Sequence, residues 1–203
     1  MTIGKGTDWG VPGLLPPGSP SAATDHELRA VVQAVRQAGA EMPIVGLTGG
    51  TLWQTMGGPS VVGRLTTSCA VRYAVDVICA RIDDDGPKWF VSALIARTAL
   101  WTHTTVAMNA QFIGPYRFGV RAHPDDGLVD VYEANLSIAD VVKVASRAKL
   151  GAHLPHPGIR ELRCADCRLT FQRRRSITLD GDRVGRARAV ALEVEPDALT
   201  VVI

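Results

Sequence analysis

Apolar residues recur every three or four positions between residues 24 and 39, which predicts an amphipathic helix with one buried face. Thr24 can cap its first turn, and Glu27, three residues later, completes a capping box. Gly39 follows the last apolar position and predicts the end of the helix. The next apolar run, residues 43–47, predicts a buried strand that leads into a glycine turn and a second short helix. This order is typical of half of an α/β nucleotide-binding unit.

From about residue 64 the pattern changes to short β-branched or alternating segments, separated by turn residues such as the run DDDGP. One amphipathic segment interrupts them, with Ser137 as its cap and Gly151 at its end. Several short strands with one helix predict an antiparallel β-sandwich. The predicted strands cover residues 70–83, 88–98, 102–114, 127–136, 159–172, 175–180, 186–195 and 198–203.

The sequence therefore predicts an α+β fold in two parts. Residues 1–63 form a small, truncated α/β piece, and residues 64–203 form a β-sandwich domain with one inserted helix. A formal net charge of +2 gives no general attraction to nucleic acid or to a membrane. The apolar runs are shorter than the roughly 20 residues needed to span a bilayer. The first ten residues lack the apolar region of a secretory signal, so a cytoplasmic protein is expected.

One pair among the four cysteines, Cys164 and Cys167, is closely spaced. A structural zinc site usually needs two such pairs. Because the surrounding segment has the pattern of a strand, we expect the two side chains on opposite faces, where they chelate one ion poorly. Ordinary reduced thiols are therefore favoured over a metal site.

Gly49, Gly50 and Thr51 follow the predicted strand, at the place where a phosphate-binding loop would lie. Such loops usually contain more glycines, together with a carboxylate or lysine that handles the phosphates. Both are absent here. The residues alone leave open whether the loop is a nucleotide site or a reduced form of one.

The β-rich half carries several short motifs in a definite order. A strand asparagine, Asn109, is followed by the run DDGL, by the Gly-x-His of residues 151–153 and by LDGDRVG at residues 179–185. In order and spacing, these motifs resemble the C-terminal domain of the diacylglycerol kinase and sphingosine-kinase-like lipid kinases through nearly all of residues 70–203. The resemblance implies a β-sandwich of the NAD-kinase and lipid-kinase type, with the active site between it and a nucleotide-binding domain.

The resemblance also implies a catalytic residue. The glutamate that acts in the family as general base on the lipid hydroxyl corresponds to Asp182, whose side chain is one methylene shorter. A plain turn between two strands accounts for the same residues, and a structural role is expected for Asp180 in either case. The family's ATP-binding G-G-D-G-T loop corresponds to the glycine loop described above, with D-G absent and much of the nucleotide domain missing.

The family's magnesium site corresponds to three residues of the HPDDGL run. The ligands implied are the main-chain carbonyls of His123 and Leu128 and the carboxylate of Asp126. A type I turn that joins two strands is the alternative interpretation, since proline, aspartate and glycine all favour it.

Other conspicuous residues have ordinary interpretations. His153 and His156 lie in a loop without a third ligand nearby in the sequence, so structural or surface roles are favoured. The run Arg173–Arg175 could meet lipid headgroups or phosphate, but charges at a strand end are usually just solvated. Three tryptophans are expected in core or inter-domain packing: Trp53, Trp89 and Trp101.

Two functions follow from these observations. The first is a non-catalytic lipid-kinase relative that binds a lipid, another ligand or a partner chain. The second is an active lipid kinase, which would require ATP and Mg²⁺. The missing loop residues and the shortened base favour the first, because phosphoryl transfer depends on positioning and charge neutralisation. No nucleic-acid partner is expected; peripheral contact with a lipid or membrane surface and a homo-oligomer are further options.

Overall fold

The computed structural model describes residues 9–58 and 64–203, so the predicted boundary after residue 63 adjoins residues 59–63, which lie outside the described chain. The helices are α1 (Asp25–Ala38), α2 (Gly50–Thr55) and α3 (Ile138–Ala148), with a 3-10 turn at Arg64–Thr66. The strands are β1 (Val11–Pro12), β2 (Ser21–Ala22), β3 (Ile44–Leu47), β4 (Val71–Ile82), β5 (Pro87–Phe90), β6 (Ala93–Arg97), β7 (His103–Met108), β8 (Val129–Asn135), β9 (Ile159–Cys164), β10 (Asp166–Leu179) and β11 (Asp182–Val202). None of these helices is long and apolar enough to cross a membrane.

The described strands form one sheet that is antiparallel over most of its extent. Neighbouring strands of the sheet follow the order β1, β4, β11, β10, β6, β7, β8 and β9. In addition, β5 pairs with residues 78–81 of β4. β3 adds in parallel to the end of β11, where Thr200 lies opposite Ile44, and β2 adds in parallel to β3. The N-terminal α/β piece is therefore joined to the sandwich by backbone hydrogen bonds.

Alternation along β4 divides its side chains between two cores. Ile78, Ala80 and Ile82 face the sandwich core, together with residues from β6, β7, β8, β10 and β11. Val75 and Val77 face a second core, where α1 and α2 pack against β3 and the end of β11. Since side chains of a strand point to opposite faces in turn, the even and odd positions of this one strand contribute to different cores.

The main predictions of architecture are confirmed. The β-rich part is a sandwich with α3 as its inserted helix, and residues 43–58 contain strand, glycine turn and helix in the predicted order. Two predicted gaps between strands are bridged by continuous strands in the structure. β10 continues through the predicted gap at residues 173–174, where a bulge shifts the register, and β11 joins the two segments predicted at residues 186–195 and 198–203.

The segment predicted as one strand at residues 88–98 is interrupted in the middle. There the backbone N–H groups of Val91, Ser92 and Ala93 all donate to one carboxylate, that of Asp180, with N···O distances of 2.9 Å. Asp180 is almost fully buried, and burial raises its pKa to about 7, although the three donors act in the opposite direction. The structural role expected for Asp180 is thereby confirmed.

The predicted opposite facing of Cys164 and Cys167 is wrong. The chain bends at Ala165, between β9 and β10, and this bend cancels the alternation that a continuous strand would impose. Both thiols pack against the sandwich core and are hydrogen-bonded to each other. Burial raises the pKa of Cys167 to about 12, so it is a neutral thiol at neutral pH.

We expect Asp180→Asn to lower the free energy of unfolding by about 2–3 kcal/mol, because an amide NH₂ group cannot accept from a buried backbone N–H. Urea unfolding measures this change. Asp84→Asn, in an exposed turn, is the matched control and should leave the midpoint unchanged. Equal midpoints for both variants would contradict the role given to the Asp180 carboxylate.

Candidate functional site

The glycine loop lies between β3 and α2, in close contact with the residues that begin α1. A Cβ atom on Gly49 would lie 2.4 Å from the carbonyl oxygen of Ala23, and one on Gly50 would lie 2.6 Å from Asp25 Oδ1. Gly50 also has a φ of 97°, which favours glycine. Close packing against the residues at the start of α1 therefore explains why both positions are occupied by glycine.

The carboxylate of Asp25 occupies the amides with which such a loop would bind phosphate. Thr51 donates its backbone N–H and its hydroxyl to Asp25 Oδ2, both at 2.7 Å, and the Leu52 N–H donates to Oδ1 at 3.0 Å. The Thr51 hydroxyl also lies 2.5 Å from Ser92 Oγ. The structure thus brings the predicted cofactor-binding residues together in one turn. However, the donors at the start of α2 that could bind a phosphate are already hydrogen-bonded to the carboxylate of Asp25.

Asp182, the predicted general base, lies at the start of β11 and also contacts α1. Its Oδ2 atom lies 2.5 Å from His26 Nδ1 and forms an ion pair with the guanidinium of Arg29. A general base needs a carboxylate oxygen within hydrogen-bond reach of the substrate hydroxyl. Here two basic side chains of α1 hold that oxygen. The first two turns of α1 therefore occupy both the phosphate loop and the predicted base.

The predicted metal-binding turn, residues 123–128, is held against β4 by Asp76. The Asp76 N–H donates to the Pro124 carbonyl at 2.7 Å, and the Gly127 N–H donates to Asp76 Oδ2 at 2.7 Å. The other carboxylate oxygen accepts from the Asp197 N–H at 3.0 Å. Burial raises the pKa of Asp76, and these backbone donors counteract part of that rise.

The predicted magnesium ligands His123, Asp126 and Leu128 lie together in this turn. The carboxylate of Asp126, which is the one side-chain ligand of the set, accepts from the Leu128 N–H at 3.0 Å and forms an ion pair with Arg163. A cation bound there would have to displace the guanidinium. These contacts fit an internally neutralised turn better than a Mg²⁺ site, and magnesium binding by the three residues stays a prediction.

A second group of carboxylates lies beside the same turn. Asp76, Asp125 and Asp197 each offer an oxygen within 4.8 Å of the others. Asp125 and Asp197 share a hydrogen bond, which requires one proton between them. Burial raises the pKa of Asp125, and the charge of Asp197 raises it further. The shared proton neutralises part of the cluster, and a divalent cation would have to replace it.

An apolar cavity of about 500 Å³ lies between α3 and the face of β7 and β8 that is turned away from the sandwich core. This volume is within the range of small-molecule sites. Val144 and Ala145 contribute the wall on α3, and residues 113–118 close another side. The sheet wall includes Val106 on β7, and Ile159 lies beside it at the start of β9.

Two side chains in the cavity wall carry buried polar atoms without a hydrogen-bond partner in the described chain, Tyr132 Oη and His153 Nδ1. Their residues are only 6% and 4% exposed. The His153 ring is hydrogen-bonded to the backbone of Phe118, which leaves Nδ1 as the acceptor of the neutral ring. Burial lowers the pKa of His153 and favours this neutral form. The residues of the cavity wall therefore include one acceptor and one hydroxyl that are buried and have no partner in the described chain.

Residues 70–203 match the model of a protein family, the YegS C-terminal NAD kinase β-sandwich-like domain, and they make up more than half of the chain. The chain belongs to this family. The YegS C-terminal domain therefore accounts for the sandwich, α3 and the cavity, whereas α1, β3 and the glycine loop precede the matched residues. No curated protein matches the sequence.

Solved structures support the same fold for the YegS C-terminal domain. Two structures of a protein described as a diacylglycerol kinase from Bacillus anthracis have TM-scores of 0.61 and 0.60 at 12% identity, covering 78% of this chain and 69% of theirs. A third, of a diacylglycerol kinase from the same organism, has a TM-score of 0.56 at 14% identity, covering 78% and 66%. Identities this low show a shared fold alone.

Two features of the regions described above escape prediction from sequence. Asp25 lies 26 positions before Thr51, and only its place in the first turn of α1 is visible in the sequence. Trp101 was expected in core or inter-domain packing, but it is 41% exposed at the mouth of the cavity, because it lies in a tight turn between β6 and β7. Trp53 and Trp89 do pack against the core beneath α1.

A pair of glycine variants tests the contact between the glycine loop and Asp25. Gly50 and Gly57 both have positive φ, 97° and 72°, but a Cβ atom on Gly57 would meet nothing within 4 Å. We expect Gly57→Ala to lower the free energy of unfolding by about 1 kcal/mol and Gly50→Ala by about 3 kcal/mol or more, since only the latter adds a clash. Urea unfolding compares them, and equal losses would contradict the close packing of Asp25.

Proposed function

We propose that this chain is a lipid-binding member of its family that transfers no phosphate. The cavity beneath α3 carries the proposal, because its walls are apolar and two residues of the wall bury polar atoms that have no partner in the described chain. A ligand with an acyl chain and a hydroxyl-bearing head would cover the apolar wall and satisfy both atoms. Mono- and diacylglycerols have this chemistry. The resemblance to lipid kinases, whose substrates carry a lipid hydroxyl, supports the same class.

The donor or acceptor character of His153 Nδ1 and Tyr132 Oη determines which lipid head group fits the cavity. His153 Nδ1 accepts a hydrogen bond in the neutral ring, so it matches a ligand hydroxyl that donates. Tyr132 Oη can donate to an ester carbonyl of the same ligand, and burial keeps its pKa above the ordinary value, so the phenol stays protonated. An anionic head group would find no cation among these two groups. A neutral, hydroxyl-bearing lipid is therefore favoured over a fatty-acid anion or a phospholipid.

The absence of phosphoryl transfer is proposed from two contacts of α1. Asp25 satisfies the loop donors that would bind nucleotide phosphate, and a negative carboxylate at that place repels another anion. Arg29 and His26 both contact the carboxylate of Asp182, so this carboxylate is not free to accept a proton from a lipid hydroxyl. Transfer requires ATP, its metal and a base aligned on one hydroxyl. In this proposal, ATP and Mg²⁺ are cofactors of the family's active members.

Binding of dioctanoylglycerol below its micelle concentration, followed by calorimetry, tests the lipid site without a membrane. Ala145 lines the cavity, so Ala145→Phe fills part of it, and we expect the affinity to fall by about 10-fold or more. Ala139→Phe, on an exposed position of the same helix, is the matched control and should bind as the unmodified protein does. Circular dichroism verifies that both variants are folded.

Two outcomes of this experiment would contradict the proposal. One is the absence of binding to the unmodified protein at any accessible lipid concentration. The other is equal binding by Ala145→Phe and Ala139→Phe, because a lipid that tolerates a filled cavity lies elsewhere.

A further inference from the structure

Large apolar side chains are exposed to solvent around the mouth of the cavity. Trp101 belongs both to the cavity wall and to the surface, where it is 41% exposed. Leu100 beside it is 63% exposed, and Ile138 and Val142 on α3 are 60% and 65% exposed. We name these four side chains the apolar rim. Contiguous exposed apolar side chains of this kind mark sites of interaction.

The backbone brings the two halves of the apolar rim together. His103 pairs with Asn135 across β7 and β8, and the Leu136 N–H donates to the Thr102 carbonyl at 2.8 Å. The turn between β6 and β7, which carries half of the rim, therefore lies against the segment that begins α3. The other half is on α3 itself, where Ile138 and Val142 are four residues apart and share one face.

The turn holds the indole of Trp101 at the surface. Trp101 has a φ of 60°, which is uncommon for a bulky residue, and its N–H donates to the Thr98 carbonyl at 3.2 Å. The Thr104 hydroxyl donates to the Trp101 carbonyl at 2.8 Å, so both backbone groups are fixed. The guanidinium of Arg97 lies 4.4 Å from the ring centroid and covers one face of the indole.

Cationic side chains accompany the apolar rim. Arg97 stacks on Trp101, and Lys149, which lies three helical turns after Ile138 and near the same face, is exposed at the end of α3. The turn between β6 and β7 contains no acid, and the one acid of α3, Asp140, is paired with Lys143 at 3.4 Å. Positive charge beside exposed apolar groups complements a bilayer surface, which has negative headgroups outside and apolar acyl chains beneath them.

We propose that the apolar rim docks this protein on the surface of an anionic lipid bilayer, with the cavity opening toward the acyl chains. Trp101 would lie at the level of the headgroups, where tryptophan is enriched, and the aliphatic members would enter the acyl boundary. The cations would face lipid phosphates. This inference rests on the proposed function, because a lipid that leaves a bilayer for the cavity needs such a contact.

Co-sedimentation with vesicles tests the docking surface. The vesicles are phosphatidylcholine alone, or phosphatidylcholine with about one third phosphatidylglycerol. We expect the unmodified protein to bind the anionic vesicles, and Leu100→Ser/Val142→Ser to bind them about 10-fold less. Neither position lines the cavity. The matched control is Val11→Ser/Leu14→Ser, which removes two other exposed apolar side chains and should bind as the unmodified protein does.

A second variant separates charge from apolar contact. Lys149→Gln should weaken binding to anionic vesicles and show a weaker dependence on salt. Binding of dioctanoylglycerol in solution by all these variants, with no vesicle binding by the unmodified protein, would overturn the docking surface and leave the lipid site intact. Equal vesicle binding by the rim and control variants would also overturn it. So would a dimer that the rim variant dissociates, because a second copy would then cover the apolar rim.

Discussion

The backbone pairing of β11 is the interaction on which the rest of this structure depends. Its first half pairs with β10, its second half pairs with β4, and its last residues also pair in parallel with β3. One strand thus belongs to the sandwich at its start and to the N-terminal α/β piece at its end. Because a one-residue slip would exchange its two faces, the register of β11 determines both cores and the place of α1 above them.

The position of α1 determines the contacts of the glycine loop and of Asp182. Asp25 on its first turn is bound to the loop amides, and Arg29 one turn later is bound to Asp182. A carboxylate and a guanidinium thus neutralise the two polar elements on which phosphoryl transfer would depend. The cavity under α3 is independent of these contacts, since its walls come from other segments. The proposed lipid site and the predicted phosphate-transfer residues are therefore separate in this structure.

Local patterns predict the regular elements well and the contacts between distant elements poorly. The Thr24 cap and the strand–glycine–helix order appear as predicted, because neighbouring residues specify them. The reciprocal bond of the capping box differs, since the Glu27 carboxylate accepts from the Ala23 N–H and not from Thr24. The interruption at Ser92 and the partner of Thr51 depend on Asp180 and Asp25, each far away in the chain. Periodicity contains no information about such pairs, and it also cannot show that α3 stands off the sheet and leaves a cavity.

Transfer of labelled phosphate from ATP tests the central claim, lipid binding without catalysis, most directly. The protein is incubated with dioctanoylglycerol, Mg²⁺ and γ-labelled ATP, and both protein-bound lipid and phosphorylated lipid are measured. The account predicts retained, unmodified lipid and no phosphorylated product above a protein-free control, because Asp25 and Arg29 occupy the groups that transfer requires. Robust formation of phosphorylated lipid that disappears in Asp182→Asn would contradict it and establish an active lipid kinase.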